Sequence, residues 1–413
     1  MTLTASASDL SRPRLIDAAA GLIAAGGVRA ASVRATALAA GVSASAVSYH
    51  FGGREGLHAA AFAQMRTESS SMQQSALADL ARFSPGPAHL GDWLAAWITR
   101  FAAAPGRPGL VRSELLLLAE RRVELAPEAR AWLDADRDFA AALLKAFDLN
   151  AHDAGVLAEL MRALDDIAPT HADGPARSAW AISAARHAGA RIAGVSPPDT
   201  AWRPVIEAVA RRTPAPLAPP PGSTPEAILD AAIRLMARDG AGAITHRSLA
   251  AECGVSLALT THHFSSREAI LQAAFDRLYM RLAEDARAAT ATPGDAPDSF
   301  EAFLEGLAGV GLEADGAVRV ELAAMDELVT AARRHSGLEP LALHLLAERG
   351  QTLFSMLDGW DALSRPVTRE DAFLLSSGAR AGLADLRLEP AETRLARARE
   401  QAKARTAVLL GAR

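Results

Sequence analysis

Apolar residues along this chain recur every three or four positions rather than every second one, the spacing of helices that each bury one face. The stretch STPEAILDAAIRLMARDG (223–240) carries the whole scheme. Ile228, Ala232, Leu235 and Met236 share a helix face, and Ser223 and Glu226 stand at capping-box spacing. Pro225 fits the first turn and Gly240 stops the run. Thr245 then reads as the cap of a short helix closed by Gly254, and Ser256 as the cap of the next. Ser265 with Glu268 predicts a second capping box ahead of a fourth helix. Ala, Leu and Arg dominate and β-branched runs are few, so the expected fold is all-α.

The same order of signals occurs earlier in the chain, with Ser32 and Ser43 in the capping positions and glycine replacing the capping serine at "GGRE". Sliding the chain by 213 positions lays residues 17–62 on 230–275 without a gap and with 19 identities in 46 positions. Alanines account for several of these, but the Gly-Val-Ser (41–43), His-Phe (50–51) and Arg-Glu (54–55) matches are not compositional. A later echo, VRSEL (111–115) against VRVEL (318–322), lies at an offset of 207 and predicts that the repeat runs on with six residues lost. The chain is a tandem duplication. Between the copies, RRTPAPLAPPPGSTPE (211–226) reads as an extended, proline-stiffened linker.

Two short helices separated by Gly-Val-Ser and braced by a preceding helix make a helix-turn-helix layout. The glycine permits a turn at positive φ, the valine plugs the core, and the serine caps the second helix, whose first residues then project outward. On these residues the segments SVRATALAAGVSASAVSYHFGGREGL (32–57) and THRSLAAECGVSLALTTHHFSSREAI (245–270) resemble the DNA-binding signature of the tetracycline-repressor (TetR) regulators. Arg54 and Arg267 stand where lysine is usual in that family, and Ser48 and Thr261 where a tyrosine is usual. Thr36 and Thr260 occupy positions that the family keeps apolar.

The resemblance implies a domain plan: helix-turn-helix domains at 1–58 and 227–271, helical regulatory and dimerisation domains at 59–212 and 272–413, and a linker at 213–226. The last two helices of each half, near 150–168 with 175–194 and 368–386 with 390–410, are expected to join as a four-helix bundle, making an intramolecular pseudo-dimer. It also implies DNA contacts, carried over position by position. Arg34 and Arg247 would reach phosphate or a guanine edge from the supporting helices, with Thr245 capping the second of these. Ala44, Ser45, Ser48, Tyr49 and His50 would face the groove in the first head, and Leu257, Ala258, Thr261, His262 and His263 in the second. Arg54 and Arg267 would hold the backbone. The implied partner is double-stranded DNA with an imperfectly palindromic operator, and the implied activity is repression relieved by a small-molecule effector that the residues do not name.

Composition adjusts this picture only slightly. A net charge of −5 is mild evidence against a nucleic-acid binder and, with Ser48 and Thr261, keeps open a ligand-sensing or protein-binding scaffold that no longer reads DNA. Further self-association of the fused chain also stays open. One cysteine, Cys253, excludes an intrachain disulfide and fits a cytoplasmic chain, in line with an N-terminus that lacks a signal-peptide layout. His262 and His263 point about 100° apart on a helix and make a poor metal pair. GVGLEA (309–314) has no strand before it to make a dinucleotide fingerprint. No enzyme, cofactor or metal is expected. Trp93, Trp97, Trp132 and Trp180, with Phe300, Phe303, Met325, Phe354, Met356 and Trp360 in the second half, read as core or, alternatively, as the walls of an effector pocket; His152, His187, His335 and His344 would orient such a ligand or, equally, lie on a solvated face.

Overall fold

The computed structural model describes residues 7–104, 106–168, 175–199, 202–212, 219–291, 302, 306, 312, 316–357, 363 and 365–411, and among them every regular element is a helix. In the first half the order is α1 (Ala7–Gly26), α2 (Val33–Ala40), α3 (Ala44–Phe51), α4 (Arg54–Leu80), α5 (Leu90–Ala102), α6 (Pro108–Ala119), α7 (Ala126–Ala146), α8 (Ala154–Ile167), α9 (Pro175–Ile192) and α10 (Trp202–Arg212). The second half contributes α11 (Thr224–Asp239), α12 (His246–Cys253), α13 (Leu257–His263), α14 (Arg267–Ala291), α15 (Gly316–Arg334), α16 (Glu339–Glu348), α17 (Gln351–Leu357), α18 (Arg369–Leu388) and α19 (Ala391–Leu410). GVGLEA, Phe300, Phe303, Trp360 and the linker residues 213–218 lie outside the described residues, apart from Leu312. The described ends of the proline-rich segment are already helical, in α10 and the first turn of α11.

Helices α4 and α7 both run from the first head into the body: Ala129, Trp132 and Leu133 of α7 pack with the head and Phe139, Leu143 and Leu144 with the body. Leu57, Ala61, Phe62 and Met65 of α4 pack into the core of the first head. Ala76 and Leu80, on the same helix, pack into the body. A shift of either end must therefore be felt at the other. The body core is common to both halves: Leu157, Leu160 and Trp180 pack in one cluster with Phe373, Leu374 and Leu409, and the Trp180 and Phe373 rings lie 4.7 Å apart. Helices α8, α9, α18 and α19 pack together as the expected four-helix contact, and α10 of the first half lies along α16 of the second. Neither half could cover these apolar stripes alone. Four tryptophans of the first half are core: Trp97, Trp132 and Trp180 are buried, and Trp93 stacks on Trp97 with centroids 5.6 Å apart. In the second half, Met325 is buried in the head core and Met356 packs at the edge of the shared one.

Charged pairs fix how the halves meet. Buried Arg333 of the second half donates to Asp165 and Asp166 of the first at 2.9 Å each, and Asp165 also accepts from Arg112 at 3.1 Å. Arg405 pairs with Glu159 at 2.6 Å, Arg162 with Asp385 at 2.9 Å, and His187 and Arg191 with Asp371 at 2.9 and 2.7 Å. His187 is thus occupied in the interface, and His344 packs edge-on against Phe275 and Tyr279. Burial raises the Asp371 carboxyl, but hydrogen bonds from His187 and Arg191 outweigh it and hold the group well below the usual range. Such pairs offer little net stability over apolar packing, yet losing one partner strands a buried charge. They therefore select one docking of the halves over others.

The register of the duplication also becomes visible. Glu114 accepts from the Val28 N–H at 3.2 Å and Glu327 from the Ala241 N–H at 2.9 Å, and both pairs are related by the same 213-residue shift. The matching segment for SEL (113–115) is thus DEL (326–328), and no residues are lost before α6. The VRVEL echo is fortuitous. Across the junction, Arg121 pairs with Glu327 at 2.7 Å while its counterpart Arg334 pairs with Glu114, a reciprocal exchange about a pseudo-twofold axis.

Candidate nucleic-acid interface

Each head builds its turn as the residue types require. Gly41 and Gly254 end the supporting helices at φ 66° and 68°, a region closed to most side chains. Ser32 caps α2 through the Ala35 N–H at 3.2 Å, and Ser256 caps α13 through the Leu259 N–H at 3.2 Å. Thr245 forms a reciprocal capping box with Ser248. Three capping expectations need correction. Ser43 sits at the start of α3 but bonds the Ser45 hydroxyl at 2.9 Å instead of a main-chain N–H. The cap of α14 is Ser266, which accepts from the Ala269 N–H at 3.1 Å, so the helix starts one residue later than Ser265 would set it. Ser223 does cap α11, but Glu226 reaches back to the Gly222 N–H rather than closing a box on Ser223.

The second helix of each pair is anchored by one buried residue, Val47 in α3 and Thr260 in α13, both fully buried. Thr260 tolerates this because its hydroxyl donates to the Leu257 carbonyl at 2.8 Å. The other substituted position, Thr36, is also fully buried, and its hydroxyl has no partner. Anchoring one face turns the opposite face outward. Ala44, Ser45, Ser48 and Tyr49 are exposed on α3, with Tyr49 at 79%. On α13, Leu257, Ala258, Thr261 and His262 are exposed, and Leu257 is at 47%. Arg34 and Arg247 are exposed on the supporting helices. In each head these exposed residues lie opposite the buried anchor.

Three candidates sit differently. His50 is half-buried and its Nε2 lies 2.6 Å from the Ser11 hydroxyl of α1, so it braces α1 against α3. Its counterpart His263 is likewise half-buried, beside His262 with ring centroids 5.2 Å apart. Arg267 turns inward and donates to the Ala241 carbonyl at 3.0 Å. Burial foremost, then neighbouring Arg334, holds its guanidinium below the usual range. Arg54 remains exposed and meets Glu55 at 3.2 Å. The Glu55 carboxyl is drawn below its ordinary value by its own main-chain N–H and then by Arg54, as expected in the first turn of a helix. Cys253 packs at the edge of the second head's core with its thiol 3.7 Å from the Ala227 carbonyl, and burial pushes its pKa up.

The family model of bacterial regulatory proteins of the tetR family matches this chain twice, over residues 15–61 and 228–274. Both heads belong to the tetR family. No curated protein matches the chain. The two matches bracket the helix-turn-helix units just described, so the tetR-type heads are DNA-binding regulator domains carried in tandem.

Two cations beside the first tetR head escaped the sequence reading. Arg12 and Arg14 are exposed at the start of α1, and Arg12 lies over the Phe51 ring at 5.5 Å. Their counterparts in the second head, 213 positions on, are Pro225 and Ala227. The basic run SRPR (11–14) was the available signal. Leu38 is also exposed, at 81%, on α2.

Proposed function

We propose that the chain is a sequence-specific transcriptional repressor whose two unlike heads, held in one polypeptide, read the two halves of an imperfect palindrome. What supports this is the pair of outward faces: the same helical scheme displays Ser48 and Tyr49 in one head and Thr261 and His262 in the other. Half-sites about 34–36 Å apart, one turn of duplex, suit such a pair. Arg34, Arg54 and Arg247 supply backbone contacts, joined in the first head by Arg12 and Arg14. Exposed Leu257 can meet a thymine methyl. The net charge of −5 weighs mildly against this reading but belongs to the whole chain, and it leaves room for a locally cationic face at Arg12, Arg14, Arg34 and Arg54.

Release by a small molecule follows if an effector favours a head spacing that no longer fits adjacent grooves. Helices α4 and α7, shared by the first head and the body, are the natural levers. Fluorescence anisotropy with duplexes from the region upstream of the chain's own coding sequence tests the reading. Specific, salt-sensitive binding is expected, and affinity no better than for random duplex at every position would reject it.

A further inference from the structure

The cavities among the described residues of the body are small. The space beside Gln73, Trp97, Phe101 and Phe139 measures about 20 Å³, enough for a water. A much larger cavity, about 500 Å³, lies between the two heads, where the α1–α2 turn of one half faces the α11–α12 turn of the other. Seven arginines and three carboxylates line it, along with His58 and His335. Arg121 and Arg334 are matched by Glu327 and Glu114, and Arg238 meets Asp239 at 2.9 Å. That accounts for the three lining carboxylates. Arg29 and Arg267 donate to the main-chain carbonyls of Asp239 and Ala241, at 3.3 and 3.0 Å. Arg54 and Arg122 share Glu55, at 3.2 and 3.6 Å, which stands outside the lining.

His58 adds an independent observation. It is 3% exposed, its Nε2 lies 2.8 Å from the Ala31 carbonyl and so carries the proton, and its Nδ1 is buried without a partner. That nitrogen can accept from a protonated ligand oxygen or, once protonated, donate to an ionised one. Burial, then Arg54 and Arg122, holds the imidazole below its usual pKa. Burial, Arg267 and Arg334 do the same to His335. The cavity thus holds an excess of cations and two histidines whose charged forms are disfavoured.

We infer that this cavity binds a small, multiply charged oxyanion, a phosphorylated or polycarboxylate metabolite, bridging Arg29, Arg54 and His58 of the first half to Arg267 of the second. The shared chemistry is a cluster of anionic oxygens, to which guanidinium groups donate in pairs. An occupant would fix the spacing of the heads and draw Arg54 inward, away from a duplex. Its effect on DNA rests on the proposed repressor reading; the binding itself does not.

The test is isothermal titration calorimetry of the full chain, without DNA, using pyrophosphate in one arm and citrate in the other, at constant ionic strength. One site per chain is expected, for pyrophosphate if phosphoryl oxygens are preferred and for citrate if carboxylates are. Arg29→Ala and His58→Leu should each weaken binding roughly tenfold, as loss of a charge-assisted contact does. Arg29 is exposed, and Leu271 holds the place of His58 in the second half, so both variants are compatible with the fold. Arg82→Ala, at a distant exposed site, should bind as the parent does. Absence of heat in both arms, or affinity in the two variants within twofold of the parent, would overturn the inference. Where specific DNA binding is also found, pyrophosphate or citrate should lower it in the parent and leave it unchanged in Arg29→Ala combined with His58→Leu. If DNA binding is absent, the calorimetry alone still decides the site.

Discussion

The two heads follow one backbone scheme but secure it differently. The first anchors its recognition helix with an apolar residue, Val47, yet buries an unpartnered hydroxyl at Thr36 and starts α4 from an uncapped glycine, Gly53. The second reverses this: Leu249 fills the position of Thr36, Thr260 is satisfied by local carbonyls, Ser256 caps α13 and Ser266 caps α14. Around the reading face the balance is opposite, with Arg12 and Arg14 beside the first head and Pro225 and Ala227 beside the second. The comparison teaches that a duplicated unit, once its partner is fixed covalently, can trade stability and charge between copies. Neither head must carry every favourable residue, because the shared core and the Arg–carboxylate pairs hold them together.

The largest effect expected is on that shared frame. Replacing Arg333 by Leu leaves Asp165 and Asp166 facing each other's surroundings with one cation fewer, and should cost about 3–5 kcal/mol by urea denaturation. A loss under about 1 kcal/mol would mean the halves are held by apolar packing alone. Next come the supporting arginines. Arg34→Ala and Arg247→Ala should each weaken duplex binding about tenfold and make its salt dependence shallower by about one counterion. The Arg247 change should be the larger, since the second head has no neighbouring Arg12 and Arg14 to compensate. Equal effects would erase the charge asymmetry argued above. Thr36→Val should stabilise the first head by about 1 kcal/mol, whereas Thr260→Val should be near neutral, as read by thermal unfolding.

The smallest effect is a pH dependence confined to the second half. Burial pushes the Asp276 carboxyl up to about 6, against 3.8 ordinarily, while Gln272 partly opposes the shift. A carboxyl with a raised folded pKa favours the fold below its unfolded value and loses that contribution as pH rises through about 6. Asp276→Ala, which installs the residue found at Ala63 in the first half, should therefore flatten the stability profile between about pH 4 and 6. The change should be about 1 kcal/mol once partial exposure is allowed for.

Much of the head architecture was legible in the chain because its signals are local. A glycine that must turn at positive φ, a serine or threonine at a helix start and an apolar face every three to four residues each act over a few positions. Where two local solutions compete, as at Ser265 and Ser266, the spacing alone misplaced the cap by one residue. The long-range features were not legible. Arg333 with Asp165, Arg121 with Glu327 and the basic cavity join residues about 160–210 positions apart, and no periodicity records such pairing. The VRVEL echo misled for the same reason: identity of letters outweighed position in the fold, which the Glu114 and Glu327 contacts define. His50 and Arg267 were assigned outward by position, but a hydroxyl of α1 and a carbonyl of the Ala241 turn hold them. Gly91 and Gly189 give another case, since a Cβ on Gly189 would lie 2.4 Å from the Gly91 Cα where α5 crosses α9.

We propose above all that one chain presents two different readers to a single stretch of duplex. Selection from random DNA by the purified full chain, at defined salt, measures this directly. The expected consensus has two unlike half-sites about one helical turn apart, with Arg34→Ala relaxing one and Arg247→Ala the other. A perfectly symmetric consensus, or an isolated half-site with no second element at fixed spacing, would contradict it.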